Sequence, residues 1–400
     1  MRVLVFNCGT DSIRFKVIDP DKNIAFAKGG IEAITTSNSY VEYYNYEKQL
    51  KTTYDYNQGF ESSVMEIFML LTDDKMGVYK SISEVEAVGH RIVHGGAKYF
   101  QPIIIEDEVL NDIKEYGEIA PIHNLKSAKV IEVCKDEISK ELVNVGVFDT
   151  AFHSSIPEIN YRYPIPEELF LDEGVRKYGF HGISYQNVMR KLPQVLHKDV
   201  KDINAVIVHL GSGASMCCVK NGKSYDTTMG YTPLDGLMMS TRSGSVDPSI
   251  IPKICEYYKC NVNEAVDILN KKSGYYGICG ESDIKTICDQ SDNGDEKSLF
   301  ARIMARQNFK KNLFAMASHL DTIDAIVVTG GMGVRNSRQR ELFLSNLGVL
   351  NTKLDLEKNK NCFNELSVIS KDDSDIKIIN MPSDEEMEIA IQTESVIMGD

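Results

Sequence analysis

No run of the 400-residue sequence approaches the ~20 consecutive apolar residues that a bilayer-spanning helix needs. The longest apolar blocks, such as Ala205–Leu210 and Ala325–Val328, have the length of strands. Met1-Arg2-Val3-Leu4-Val5-Phe6-Asn7 turns polar after one short apolar run, unlike a secretory signal, so the expected setting is the cytoplasm, with no membrane partner. A basic tract is also missing. Fifty-eight acidic residues outnumber 44 basic ones, for a formal charge of −14, which argues against nucleic acid as a partner. The nine cysteines form no C-x-x-C and have no partners at zinc spacing, which excludes a disulfide framework and a zinc site in favour of reduced thiols. Neither a Gly-x-x-x-x-Gly-Lys-Ser/Thr loop nor a Gly-x-Gly-x-x-Gly with a following acid is present, so any phosphate site is of another type. With 28 Gly, 11 Pro and 42% hydrophobic residues, the chain is globular and long enough for two or three domains.

What is there has an α/β pattern. Arg2–Phe6 reads as a strand that ends in Asn7-Cys8-Gly9-Thr10-Asp11-Ser12; Ile13–Ile18 and Ile24–Ala27 follow as two more strands, separated by Asp19-Pro20-Asp21-Lys22-Asn23. The same order recurs 200 residues on: Ala205–Leu210, Gly211-Ser212-Gly213, Ala214–Lys220, the type I′ turn signal Asn221-Gly222, and Lys223–Thr228. This echo points to two similar domains, each opening with a hairpin whose turn can present backbone N–H groups to a phosphate. Helical stripes fall at Val64, Ile67, Phe68 and Leu71, and at Phe309, Leu313, Met316 and Leu320. The second stripe runs into the strand Ala325–Thr329 and then Gly330-Gly331-Met332-Gly333. Cys217 and Cys218, adjacent in a strand, should face opposite sides. A domain boundary is expected just after Asp149-Thr150.

Six of the eight histidines stand in or beside short polar blocks after apolar strands, where α/β proteins place ligand groups. They are His90 and His94 in His90-Arg91-Ile92-Val93-His94-Gly95-Gly96, His123, His153, His181 and His209. Any single one of them can equally be a satisfied structural residue. Arg91 lies between two of these histidines, and Arg242 sits in the glycine- and serine-rich stretch Ser240–Pro248. Each guanidinium offers a planar fork suited to carboxylate or phosphoryl oxygens.

Taken together, Gly89–Gly96, Phe148–His153, Arg176–Gly182, Gly222–Pro248 and Met381-Pro382-Ser383-Asp384-Glu385-Glu386 resemble the acetate kinase (acetokinase) family, of the superfamily that includes sugar kinases, actin and the heat-shock chaperone ATPases. The resemblance spans essentially the whole chain. It implies an α/β fold of two ribonuclease-H-like domains, residues 1–150 plus 385–400 and residues 151–384, the second binding nucleotide, with the active site in a cleft between them. It further implies a homodimer that transfers a phosphoryl group reversibly between ATP and acetate, giving ADP and acetyl phosphate with Mg²⁺ or Mn²⁺. On matching positions, Arg91, His123, Asp149, His181 and Arg242 would be catalytic. Val93, Ile122, Phe180 and Pro233, with Arg91, would hold the acetate. Thr10, Ser12, Arg14, His209, Gly211, Ser212, Gly213, Asp283, Ile284, Lys285, Gly330, Gly331, Met332 and Gly333 would meet phosphates or nucleotide, and Asn7 and Glu385 the metal.

Against the family pattern, Asp11 puts a carboxylate into the first phosphate turn and Ser212 replaces an Asn. Val334-Arg335 replaces Glu-Asn, and Asp283-Ile284-Lys285 replaces Asp-Phe-Arg, with loss of an aromatic wall. These departures lie mostly on the phosphoryl-donor side. They leave room for another nucleotide or pyrophosphate as donor, for propionate or butyrate as acceptor, or for an inactive regulator that binds nucleotide or acyl phosphate.

Overall fold

The computed structural model describes residues 1–9, 11–34, 36–120 and 123–399. Two compact units divide the chain, Met1–Ala151 with Asp384–Asp400, and Phe152–Ser383.

The first unit is built on a mixed sheet. Its strands are β1 (Val3–Cys8), β2 (Ile13–Asp19), β3 (Ile24–Glu32), β4 (Tyr40–Asn45), β5 (Leu50–Asp55), β6 (Ala87–Ile92), β7 (Ile103–Ile104) and β8 (Val143–Phe148), in the order β5-β4-β3-β2-β1-β6-β8-β7. β1 is buried along nearly its whole length, as a central strand covered on both faces must be, and its Val-Leu-Val-Phe run supplies that apolarity. β5, at the edge, alternates between half-buried and exposed positions. Helix Phe60–Thr72 lays Val64, Ile67, Phe68 and Leu71 into a core shared with Leu4, Phe6 and Val88.

The second unit has β9 (Ala205–Leu210), β10 (Ala214–Lys220), β11 (Lys223–Thr227), β12 (Ala325–Thr329), β13 (Ser367–Val368) and β14 (Lys377–Asn380), in the order β11-β10-β9-β12-β14-β13. Asn221 and Gly222 both take positive φ, +52° and +75°, so the β10–β11 turn is the type I′ hairpin the dipeptide announces. Cys217 and Cys218 are both fully buried in β10, and all nine cysteines are free. The helix that carries Phe309, Leu313 and Met316 stops at Ala317, short of Leu320. Leu320 instead donates to the Ala317 carbonyl at 3.0 Å in a turn that leads the chain back toward β12.

Within each unit the shared part of the sheet has one plan. A three-stranded antiparallel meander (β1–β3; β9–β11) is extended by two strands parallel to the first (β6 and β8; β12 and β14). The resulting order, third-second-first-fourth-fifth, is that of a ribonuclease-H-like domain, and each unit contains it once. In such a sheet the carboxyl ends of the parallel strands lie side by side, where ligand groups collect.

Helix Glu385–Met398 returns to the first unit and packs on β1, β6 and β8. Gly89 makes this docking possible. A Cβ there would lie 2.4 Å from Thr393 Oγ1 and 2.8 Å from Ile389 Cγ2.

Candidate active site

In the first unit, register brings three strand ends together. Phe6, His90 and Gly146 lie abreast, so Asn7, Arg91 and Asp149 emerge near one another where β1, β6 and β8 end. The Arg91 guanidinium closes the group. Its Nε and Nη2 donate to Asp149 Oδ2 at 3.2 and 2.6 Å, and its Nη1 donates to Asn7 Oδ1 at 3.1 Å. Burial opposes the Arg91 charge, but Asp149 and Glu385 outweigh it and raise its pKa. Asp149 is 1% exposed, and its second oxygen, Oδ1, has no hydrogen-bond partner among the described residues. Glu385, the first residue of the returning helix, joins from the sequence's far end. Burial lifts its carboxyl to about 7 against the pull of Arg91, with Asp149, Glu386 and Asp384 adding repulsion.

Asp149, Glu385 and Asn7 thus form an oxygen-only donor set with one buried carboxylate oxygen unsatisfied, which fits a hard divalent cation. Mg²⁺ is usually held by one or two carboxylates together with water and substrate phosphates. Among the described residues no group of three His, Cys, Asp or Glu forms a closed metal cage.

Other predicted residues of this unit are less central. Val93 is buried, and His123 stands half-buried at the start of helix Asn124–Val133. Ser12 is buried in the first turn, where its carbonyl accepts from Gly9 N at 2.9 Å. Arg14 is exposed near the start of β2 and paired with Glu32, the last residue of β3, at 2.8 Å. Asp11 is exposed. Thr10 and Ile122 lie outside the described residues.

In the second unit, the φ of His181 is +59°, as it leads into helix Gly182–Leu196. Its Nδ1 is 2.8 Å from Ser215 Oγ, and its ring stacks on His209 with centroids 4.1 Å apart. His209 is held in turn by Ser184 Oγ at 2.9 Å. These contacts aim His181 Nε2 at Gly213, where a Cβ would lie 3.3 Å from both that nitrogen and Arg242 Nη1. His181 and Arg242 therefore converge on the glycine turn after β9. Arg242 Nη1 donates to the Pro233 carbonyl at 3.1 Å, and among the described residues no carboxylate pairs with it. Burial lowers its pKa. A cation desolvated without a counter-ion is a site for an anion. Phe180 is buried, with its carbonyl receiving His153 Nε2 at 3.0 Å.

Arg242 also lines a pocket of about 960 Å³ that lies wholly within this unit. Gly211, Ser212, Asp283, Ile284, Lys285, Gly331 and Met332 line it as well, while Gly213, Gly330, Gly333 and His209 lie off it. Two of these glycines have packing duties. Gly330, at φ +78°, passes so close to Leu210 that a Cβ would sit 2.5 Å from its carbonyl oxygen, and a Cβ on Gly333 would sit 2.8 Å from Val328 Cγ1. The Asp283 carboxylate caps helix Ile284–Asp292 by accepting from Thr286 N and Oγ1, both at 2.8 Å. Sequence reasoning missed Ser282, Arg338 and Phe363, which also line the pocket. They carry no motif, and only the fold brings residues this far apart in sequence together.

Three of the singled-out histidines are structural. His90 Nε2 bonds Asn144 Oδ1 at 2.8 Å, His94 Nδ1 accepts from Gly96 N at 3.0 Å, and His153 Nδ1 lies 2.8 Å from Ser224 Oγ. All three are essentially buried.

The acetokinase family model matches residues 2–391. Acetate kinase from Thermoanaerobacterium thermosaccharolyticum is 39% identical over 399 residues, 99% of either chain. Among solved structures, an acetate kinase from Porphyromonas gingivalis superposes with a TM-score of 0.91 at 35% identity, covering 99% of both chains. A propionate kinase from Francisella tularensis subsp. tularensis superposes with a TM-score of 0.92 at 34% identity over the same share.

Proposed function

The chain belongs to the acetokinase family and is a phosphotransferase of carboxyl groups, and from that premise we propose that it moves a phosphoryl group reversibly between ATP and acetate, with residues of both units acting on it. The observation that carries this reading is the convergence of His181 and an uncompensated Arg242 on the Gly211–Gly213 turn, at a pocket of nucleotide size.

Phosphoryl transfer asks little covalent chemistry of a protein. It asks that two anions be aligned and that their charge be neutralised as it shifts. In this reading the second unit holds the nucleotide, and Arg242 draws the transferring group to its fork. His181, braced by Ser215 and His209, donates a hydrogen bond where negative charge develops. The first unit supplies Arg91, held in orientation by Asp149 and Asn7, to grip the acetate carboxylate. Val93, Phe180 and Pro233 wall off the methyl group. Mg²⁺ would be held by Asp149, Glu385 and Asn7, and when bound it neutralises phosphate charge and lends the site rigidity. The enzyme is a homodimer in the same reading, supported by the exposed Tyr257, Tyr258 and Val262 on two neighbouring helices. It works in the reducing cytoplasm, in keeping with its free cysteines.

A second donor is favoured by one observation. Among the described residues, Arg335, exposed on the pocket, meets no carboxylate and bonds only Asn364 Oδ1 at 3.4 Å. Acyl phosphate formation from acetate and Mg²⁺, with ATP, GTP and pyrophosphate compared side by side, decides the donor. Propionate and butyrate in place of acetate decide the acceptor, since each methylene is worth only ~1–3 kcal/mol of discrimination. Arg242→Ala should lower turnover at least about 10²-fold, the scale of losing a charged transition-state contact. Unchanged turnover in that variant would remove the role assigned here, and a folded chain inert with every donor would leave only a regulator.

A further inference from the structure

Ile284 occupies the position where the family resemblance calls for an aromatic, and it is 6% exposed, sunk into the start of its helix. An aromatic lines the same pocket from elsewhere. Phe363, just beyond helix Leu356–Asn361, is 66% exposed.

The backbone around this ring is firmly anchored. Arg340 is fully buried, and its guanidinium spans two segments: Nη1 donates to the Gly333 carbonyl, Nη2 to the carbonyls of Asn359 and Cys362, and Nε to Asn359 Oδ1, each at 2.8 Å. On the other side of Phe363, Asn364 N donates to the Val334 carbonyl at 2.9 Å. Phe363 is therefore pinned before and after to the glycine-rich segment that forms one wall of the pocket, while its own ring is left uncovered. An aromatic held this way loses little freedom on binding and offers a π-face to a planar partner.

We propose that Phe363 is the stacking wall for the donor's nucleobase, a specificity-determining residue that does from position 363 what an aromatic at 284 would do. The inference rests on the donor being a nucleotide, as argued above. Stacking reads the face of a base and not its edge, so Phe363 should favour purine donors over inorganic ones without separating adenine from guanine.

The chain contains no tryptophan, so Phe363→Trp places a single indole at the proposed wall. In Phe363→Ala the KM for ATP should rise about 10-fold, in line with the loss of one base stack, while the KM for acetate and the inhibition constant of tripolyphosphate stay put. Phe363→Trp should keep the unaltered KM for ATP, and its emission should be quenched by ATP and GTP but not by tripolyphosphate. An unchanged KM for ATP in Phe363→Ala, or an indole indifferent to ATP, overturns the proposal while leaving acetate phosphorylation intact. A parent enzyme that uses pyrophosphate and not ATP overturns the nucleotide reading itself, and the role of Phe363 with it.

Discussion

Replacing His90 by Gln should flatten the pH dependence of unfolding by about 2 kcal/mol between pH 8 and pH 5. Asn144 Nδ2 donates to the Leu142 carbonyl at 2.8 Å, which presents its Oδ1 to His90 Nε2 as an acceptor. The single proton of the neutral ring therefore sits on Nε2. The other nitrogen, Nδ1, is buried with no hydrogen-bond partner among the described residues, and a proton there would charge the ring beside Phe6. Burial accordingly lowers the pKa from 6.5 to about 4. Above pH 6.5 the imidazole is neutral whether the chain is folded or not, and stability is untouched. Below 6.5 the unfolded chain takes up a proton that the folded one refuses, so stability falls until the folded ring also protonates near pH 4. At pH 5 the unfolded state gains RT ln(1 + 10^1.5), about 2 kcal/mol, and the folded state gains less than about 0.1 kcal/mol. Glutamine keeps an amide donor for Asn144 and does not titrate. Urea unfolding followed by far-UV circular dichroism at pH 8, 7, 6 and 5, for the parent and His90→Gln, gives the two curves. Other titrating groups, including Glu385, whose raised pKa acts in the opposite sense, cancel in their difference. Curves that run parallel would refute the reasoning. His94 and His153, also lowered to about 4 by burial, act in the same direction, each opposing the folded state as the pH falls below 6.5.

Gly89→Ala should destabilise the first unit by roughly 1–3 kcal/mol, because the new methyl meets Thr393 and Ile389 of the returning helix; the urea midpoint checks it, and an unmoved midpoint would show that the helix yields freely. Glu385→Gln should raise the Mg²⁺ concentration needed for half-maximal activity by about 10- to 100-fold with the fold intact, and an unchanged Mg²⁺ requirement would remove Glu385 from the metal site.

Much of the strand plan was legible in the sequence because its signals are local. The apolar Val3–Phe6 run of β1 and the Asn221-Gly222 hairpin each declare themselves within a few residues, the first through solvent exclusion and the second through the positive φ that few residues adopt. Arg91, His181 and Arg242 could be marked as chemical groups because they stand in or beside short polar, glycine-bearing blocks, whereas Asp149 was reached only through the family resemblance. Sequence could not apportion the histidines. His90, His94 and His153 stand in blocks as polar as that of His181, and only the partners folded around them, Asn144, Gly96 N and Ser224, show that these three are tied into the core.

The tertiary structure decided matters of distance. Glu385 reaches Arg91 and Asp149 because Gly89 lets a helix from the far end of the chain lie on β6, a fact that depends on one missing Cβ. Arg14 is taken by Glu32 on the adjacent strand, a pairing set by hairpin register. Phe363 lines the same pocket as Gly211 and Arg242 because Arg340 ties residues 333, 359 and 362 together, and no local pattern encodes that knot. Periodicity and turn chemistry act over a few residues and are written in the sequence. Which side chain faces which, across hundreds of residues, is settled only when the sheets close and each buried polar group takes the nearest partner left to it.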